Sequence, residues 1–395
     1  MKRFFLGMAV LLIALIGGWL GTAYWAGTQA QQLYRRSIQE SSQDPTLKIT
    51  SQEYQRGLLF SEAVSRITLQ GTPPDPATAD GTLTFSLKHD IYHGILPIAW
   101  WLRGDFKPRP LQAVVHTVLS RDAPWNTVLT ELFGEREPLT VVSYVALDGS
   151  SDNDVTIPYL DLTHRLGLHT INFSGLEGRI HAAPLGRAVK GELSAAALYA
   201  LISQELGSSI RLTDLRLSVD QQRGRFDFMT GDSALNVATF ATSNLGDAAG
   251  TLTLTGLLLR THVQEQGELV NSTFAMAVDD VNWNQTAIGS GQFKLSANKL
   301  DGAILERLQQ WNREHRAVGV EPPAVQELLG LLPALLQRNP ELLLTAEANA
   351  PQGELRGNAQ IVFQNPEHIA LYNPARLLSA LSRAEARLTI SKALL

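Results

Sequence analysis

Apolar and polar positions follow different rhythms along this chain. Residues 4–25, FFLGMAVLLIALIGGWLGTAYW, are apolar and carry no charge, matching the roughly 20 residues that a helix needs to cross the hydrocarbon core of a bilayer. Lys2 and Arg3 lie directly before this run, and Arg35 and Arg36 follow well beyond it. The bias of basic residues toward the cytoplasm therefore predicts a cytoplasmic N-terminus and an exported remainder. Trp19, Tyr24 and Trp25 gather at the outer end, where amphipathic rings favour the headgroup layer. A cleaved signal has a shorter apolar region, about 7–15 residues, ending in small residues. Trp25 stands where those would be needed, which predicts an uncleaved anchor, with tip and span together covering residues 1–26.

Residues 27–45 keep a helical rhythm in polar surroundings, with Ala30, Leu33, Tyr34 and Ile38 at three- and four-residue steps, and are read as a juxtamembrane helix. From residue 46 onward the period falls to 2. LKITSQEYQRG and LLFSEAVSRITLQG alternate around Arg56-Gly57, the pattern of a β-hairpin. TPPDPATADG, residues 72–81, reads as a loop. Alternation resumes in GTLTFSLKHDIYHG and in later strings such as IRLTDLRLSVD, GTLTLTGLLLRTHVQ, STFAMAVDDVNW, GQFKLSA and GELRGNAQIVF. No fixed repeat length relates them, which argues against a propeller or solenoid. Four helices are expected between strands: residues 195–206 after Ser194, 301–316 capped by Asp301, 322–340 divided near Gly330 and Pro333, and 373–386 opening at Pro374. The expected fold class is α+β: an N-terminal transmembrane helix, then a large, mainly antiparallel, curved β-sheet domain over residues 46–395 with a few packed helices. Two sub-domains with a boundary near residues 185–210 are allowed by the 395-residue length.

Charge and composition narrow the function. Lys and Arg number 33 against 38 Asp and Glu, a net charge of -5, the wrong sign for a chain that binds by neutralising phosphates. Nucleic acid is excluded as a partner on that ground. Setting Lys2 and Arg3 aside leaves 31 basic residues against 38 acidic ones outside the anchor, so an anionic bilayer does not attract the exported domain as a whole. With no cysteine, disulfides, thiolate zinc, iron–sulfur ligation and a cysteine nucleophile drop out.

Chemistry-bearing constellations are sparse. His89 and His93 have the spacing of zinc ligands on a helix, but HDIYH alternates as a strand, which sets them about 13 Å apart. DGSSDND, residues 148–154, is acidic but lacks the glycine and glutamate of a calcium loop. Asp279 and Asp280 are neighbours on a predicted strand and point to opposite faces. No GxSxG, Walker, HExxH or SxxK arrangement sits on a suitable element. No catalytic residue, cofactor or metal ligand is assigned, and the chain is read as a non-enzyme, with a hydrolase built from dispersed residues as the alternative. Two features point to apolar partners. In ILPIAWWLRG, Ile95, Leu96, Ile98, Trp100 and Trp101 are candidate contacts to a lipid tail or membrane interface, burial under the sheet being the competing reading. Gly17 and Gly21 form a GxxxG pair that would let two anchors pack as a homodimer, although glycine is also simply common in membrane helices.

Several tracts together carry a family resemblance. These are Gly27 and Tyr34 after the anchor, YQRGLLFSEA at residues 54–63, His93-Gly94, the helix with Asp301, Gly302, Leu308, Trp311 and Asn312, and NPARLLSALSRAEARLTI near the end. In this order they resemble the YdgA-like family of bacterial proteins, which the resemblance implies are held in the inner membrane by one anchor and carry a periplasmic domain of unassigned function. The family's pattern continues from His-Gly to Pro, whereas Ile95 and Leu96 precede Pro97 here. Longer relatives continue past the last tract with further strand-forming sequence, which leaves open whether the sheet has a further part. A looser likeness is to AsmA-like envelope proteins, also singly anchored and β-rich and linked to lipid traffic, an analogy of fold only. The expected function is binding of a lipid or an envelope partner by the periplasmic domain, with self-association as a structural or assembly factor as the second expectation.

Overall fold

A computed structural model of the chain describes residues 2–41, 47–70, 82–104, 109–122, 126–163, 170–203, 207–244, 249–315, 330–331, 333–364 and 380–391, with side chains in the first helix described for residues 18–36, 38 and 39. The chain forms two compact units, one of Met1–Pro158 with Gly178–Arg187, the other of Tyr159–Glu177 with Ala188–Leu395.

The first unit opens with helix α1 (Lys2–Ser41), unbroken from the apolar run into the polar stretch that follows. An antiparallel meander follows: β1 (Leu47–Arg56), β2 (Phe60–Gln70), β3 (Thr82–His93), β4 (Ala113–Leu119), β5 (Thr140–Val145) and β6 (Ser151–Ile157). The expected first hairpin is present, turning at Gly57, whose N–H donates to the Phe60 carbonyl at 2.9 Å. Helix α2 (Ile98–Trp101) joins β3 to β4, and α3 (Asn126–Phe133) joins β4 to β5. Because successive strand residues face opposite ways, this sheet is buried on both sides. Tyr92, Val114 and Tyr144 on one face pack with Trp100 of α2 and Leu111. Ile91, Ala63 and Ala113 on the other pack under Ala30 and Tyr34 of α1.

Short strands β7 (Leu160–Thr163) and β8 (Thr170–Phe173) belong to the second unit; β9 (Leu176–Ala182) follows and pairs with β6. The second unit continues as β10 (Ala188–Ser203), β11 (Ser208–Arg223), β12 (Met229–Ser243), β13 (Thr251–Gln266), β14 (Leu269–Trp283), β15 (Thr286–Asp301), β16 (Glu341–Ala350), β17 (Gly353–Phe363) and β18 (Leu381–Ile390), each antiparallel to the next. Helix α4 (Gly302–His315) leaves β15, and its cap is the expected one, Asp301 Oδ1 accepting from the N–H groups of Ala303 (3.0 Å) and Ile304 (3.2 Å).

Two expected helices are corrected. Residues 195–203 are strand: β10 is bonded on one edge to β8 and on the other to β11, and two flanking ladders outweigh the helix preference of an Ala/Leu run. Residues 381–386, expected to end a helix, lie in β18 against β17. Residues 373–379 of that segment, the loop at 72–81, and residues 322–329 and 332 of the third expected helix lie outside the described residues. Among the described residues no helix is long and apolar enough to cross a membrane. The described side chains of α1 begin at Gly18, so most of the apolar run falls outside that statement.

Candidate functional site

The long strands of the second unit bring into line what the sequence scatters. Residues directly opposite across an antiparallel pair project to the same face. Leu193 pairs with Leu217, Leu217 with Leu235, and Leu235 with Leu259. Leu259 then pairs with Met276, Met276 with Phe293, and Phe293 with Ala346. Beyond Ala346 the row passes Gly357 and ends on Leu388. One residue from each of nine strands thus forms a single apolar row running across the sheet, and the neighbouring rows include Leu215, Val237, Phe274 and Leu295. Leu217, Phe274, Met276, Leu295 and Leu388 are exposed.

The alternate positions make a polar face. Glu192, Ser218, Arg260, Lys294, Thr345, Arg356 and Arg387 occupy it. There Lys190 meets Asp220 at 2.6 Å and His262 meets Asp232 at 3.0 Å. Asp279 and Asp280 lie in β14 where its register against β15 shifts between Val278 and Val281.

In the first unit the structure separates the five candidate apolar contacts. Trp100 is 7% exposed and stacks at 5.2 Å, tilted, on Tyr92, so its ring is a core element. Trp101 is half-buried against the same cluster, and Ile95 is half-buried too. Leu96 and Ile98 are exposed, joined by Leu102 and by Leu58 of the first hairpin turn. Leu58 and Leu102 were not singled out from the sequence, where each sits in a short apolar string, Leu58-Leu59-Phe60 and Trp100-Trp101-Leu102, whose hydropathy does not mark which side chains stay exposed. Gly17 lies on α1 without a described side chain, and a Cβ placed on Gly21 meets nothing within 4 Å.

The two histidines point to the α1 side of the sheet. His93 Nδ1 donates to the Ala23 carbonyl (3.1 Å), which leaves Nε2 to accept from the Ser61 hydroxyl (3.0 Å). His89 lies between Ser65 Oγ (2.7 Å) and Thr117 Oγ1 (2.9 Å). Burial pushes His89 down to about 4 and lowers His93 as well, so both rings are neutral near pH 7. Neither imidazole has a carboxylate on its second nitrogen, and Ser61 and Ser65 are buried. The pairs therefore serve to join helix and sheet, in contrast to an exposed nucleophile with an oriented base. Beside them α1 and the sheet leave a cleft of about 240 Å³, lined in part by Leu33, Tyr34, His89, Gln112 and Asn153. Of the acidic tract, Asp148 sits in the β5–β6 turn and accepts from the Ser150 N–H, while Asp152 and Asp154 lie in β6, where Asp152 pairs with Arg109 and His181 and Asp154 with Arg179. Among the described residues no group of three or more His, Asp or Glu side chains forms a metal cage.

Comparison with known proteins places this chain in a family. Residues 1–395 match the family described as bacterial protein of unknown function (DUF945), and the chain belongs to it. It is 20% identical over 380 residues to protein YdgA of Escherichia coli strain K12, covering 90% of this chain and 74% of that one. No solved structure matches.

Proposed function

We propose that this member of the DUF945 family is a single-pass envelope protein, anchored in the bacterial inner membrane by residues 4–25, whose periplasmic nine-stranded face binds an apolar ligand, a lipid acyl chain, without catalysis. The observation that carries the reading is the row from Leu193 to Leu388, apolar on every strand it crosses. Nine strands spaced about 4.8 Å apart extend it to about 38 Å, longer than the ~15 Å hydrocarbon depth of one leaflet. The row is exposed at Leu217, Met276 and Leu388 and half-buried at its other positions, and an apolar surface open to solvent at several points marks a binding site more often than a bare surface. The uncharged run between Lys2-Arg3 and Arg35 supports the anchor and its orientation.

A photo-reactive residue at Met276 in the full chain, activated in intact cells, tests the reading. Mass spectrometry is expected to find acyl-lipid adducts at Met276 and none at Lys294, on the opposite face. Protein adducts alone at Met276 would make the partner an envelope protein, and equal lipid labelling at both sites would defeat a site on the apolar row. Self-association is the second reading, favoured by the open space beside Gly21 on α1. Cross-linking in membranes that recovers only monomers would reject it.

A further inference from the structure

We infer that the α1 end of the first unit's sheet is itself seated in the bilayer interface, so that the domain touches the membrane through a second, non-helical surface; this rests on the reading of residues 4–25 as the anchor. Three parts of the chain converge there. The first hairpin turn reaches α1 through Arg56, whose guanidinium donates to the Tyr24 carbonyl (2.9 Å) and to Thr28 Oγ1 (2.7 Å). The turn is tied to β3 by the His93 N–H donating to the Leu59 carbonyl (3.1 Å). The β3–β4 connection reaches α1 where Trp19 Nε1 donates to the Leu96 carbonyl (3.4 Å) and where a Cβ on Gly94 would stand 3.4 Å from that of Ala23.

Depth follows from helix geometry. Trp19 precedes Trp25 by six residues, about 9 Å along the axis. If Trp25 marks the outer headgroup layer, the Leu96 carbonyl bonded to Trp19 lies below it. The side chains at this end suit that position: Leu102 is 84% exposed, Tyr24 59% and Leu58 50%, and Trp25, Leu96 and Ile98 are exposed as well. Two cations flank them. Arg56 lies 4.4 Å over the Tyr24 ring, and Arg103 lies near the Tyr92 and Trp100 rings. Aromatic and aliphatic side chains mixed with arginine are what the interface of an anionic bilayer accepts, and they stand out on a chain with a net charge of -5. An apolar cluster wrapped around the exit point of an apolar helix is continuous with the surface that helix already shares with lipid, which selects the bilayer over a soluble partner as the occupant.

The chain has no cysteine, so single-cysteine variants report cleanly. Full-length Leu102→Cys, Leu58→Cys, Ala14→Cys and Glu135→Cys, each carrying an environment-sensitive fluorophore, are reconstituted in phosphatidylethanolamine–phosphatidylglycerol vesicles with and without nitroxide-labelled acyl chains. Glu135 follows α3 in the β4–β5 connection, at the far end of the strands from β3–β4. Labels at Leu102, Leu58 and Ala14 are expected to lose most of their emission to the nitroxide lipid, while the label at Glu135 keeps its own. Quenching at Ala14 with Leu102 and Leu58 behaving as Glu135 would overturn the interface seat and leave the anchor standing. An unquenched Ala14 would overturn the anchor and, with it, the seat.

Discussion

His93 donates a hydrogen bond to the backbone carbonyl of Ala23, 3.1 Å away and 70 residues earlier in the chain. The bond taps a helix carbonyl with a buried ring, and it stands where Gly27 brings α1 closest: a Cβ on Gly27 would lie 2.7 Å from Cε1 of that imidazole.

Gly27→Ala is therefore expected to lift α1 or displace the His93 ring, at a cost of about 1–3 kcal/mol from overpacking. Gly21→Ala, with open space around it, is expected to be neutral or to gain up to about 1 kcal/mol in helix preference. Urea unfolding of the full chain in detergent, followed by tryptophan fluorescence, compares the two. Equal stability of both variants would mean that α1 does not depend on this close approach.

Stability is expected to fall on acidification. Burial holds His89 at about 4 when folded, against about 6.5 in an unfolded chain, so the unfolded state binds the extra proton between those values. The contribution is complete above about pH 6.5 and is lost as pH falls toward 4, amounting to about 3 kcal/mol. His93 and His116 are lowered in the same direction by burial. Unfolding midpoints at pH 7.5 and 4.5 should differ, and His89→Gln should shrink the difference. A wild-type midpoint unchanged across that range would refute the burial of these rings.

Trp100 in α2 and Leu102 just beyond it should respond very unequally to truncation. Trp100→Ala removes a ring from the cluster with Tyr92, Leu111, Val114 and Tyr144 and is expected to cost about 3–5 kcal/mol. Leu102→Ala, at an exposed site, should leave unfolding in detergent within about 0.5 kcal/mol of the parent. Thermal melts of both variants provide the check.

Asp301 caps α4 and also meets Arg338 at 3.2 Å. Asp301→Ala is expected to cost about 1 kcal/mol through the lost cap, and Asp301→Asn, which keeps an accepting oxygen, much less. Hydrogen exchange at the Ala303 and Ile304 amides should accelerate in the alanine variant and stay slow in the asparagine one.

How far the sequence discloses the fold varies from element to element. The first hairpin is written in its alternation around Arg56-Gly57, and the α4 cap in Asp301 ahead of Ile304 and Leu308. In β18 the period of 2 is also present, with Arg383, Glu385 and Arg387 on one side and Ala384, Ala386 and Leu388 on the other. It is masked by residue types that favour helices. In β10, the run AAALYALIS fits either period, and only the ladders to β8 and β11 decide it. For Trp100 and Leu102, two residues apart in one apolar string, hydropathy alone does not separate the buried ring from the exposed side chain.

What the sequence by itself determined is the local grammar: an apolar run long enough for a bilayer, the hairpin turns, the two-residue period of a mainly antiparallel sheet, and membership of a family of unknown function. Period along a strand is a property of one segment, set by which side chains seek water. What only the tertiary structure decided is register. The row from Leu193 to Leu388, the joining of His93 to Ala23, and the gathering of Leu58, Leu96 and Leu102 around α1 each depend on how one strand or helix is offset against another. That offset is fixed by side chains packing across distances in sequence that no local pattern spans.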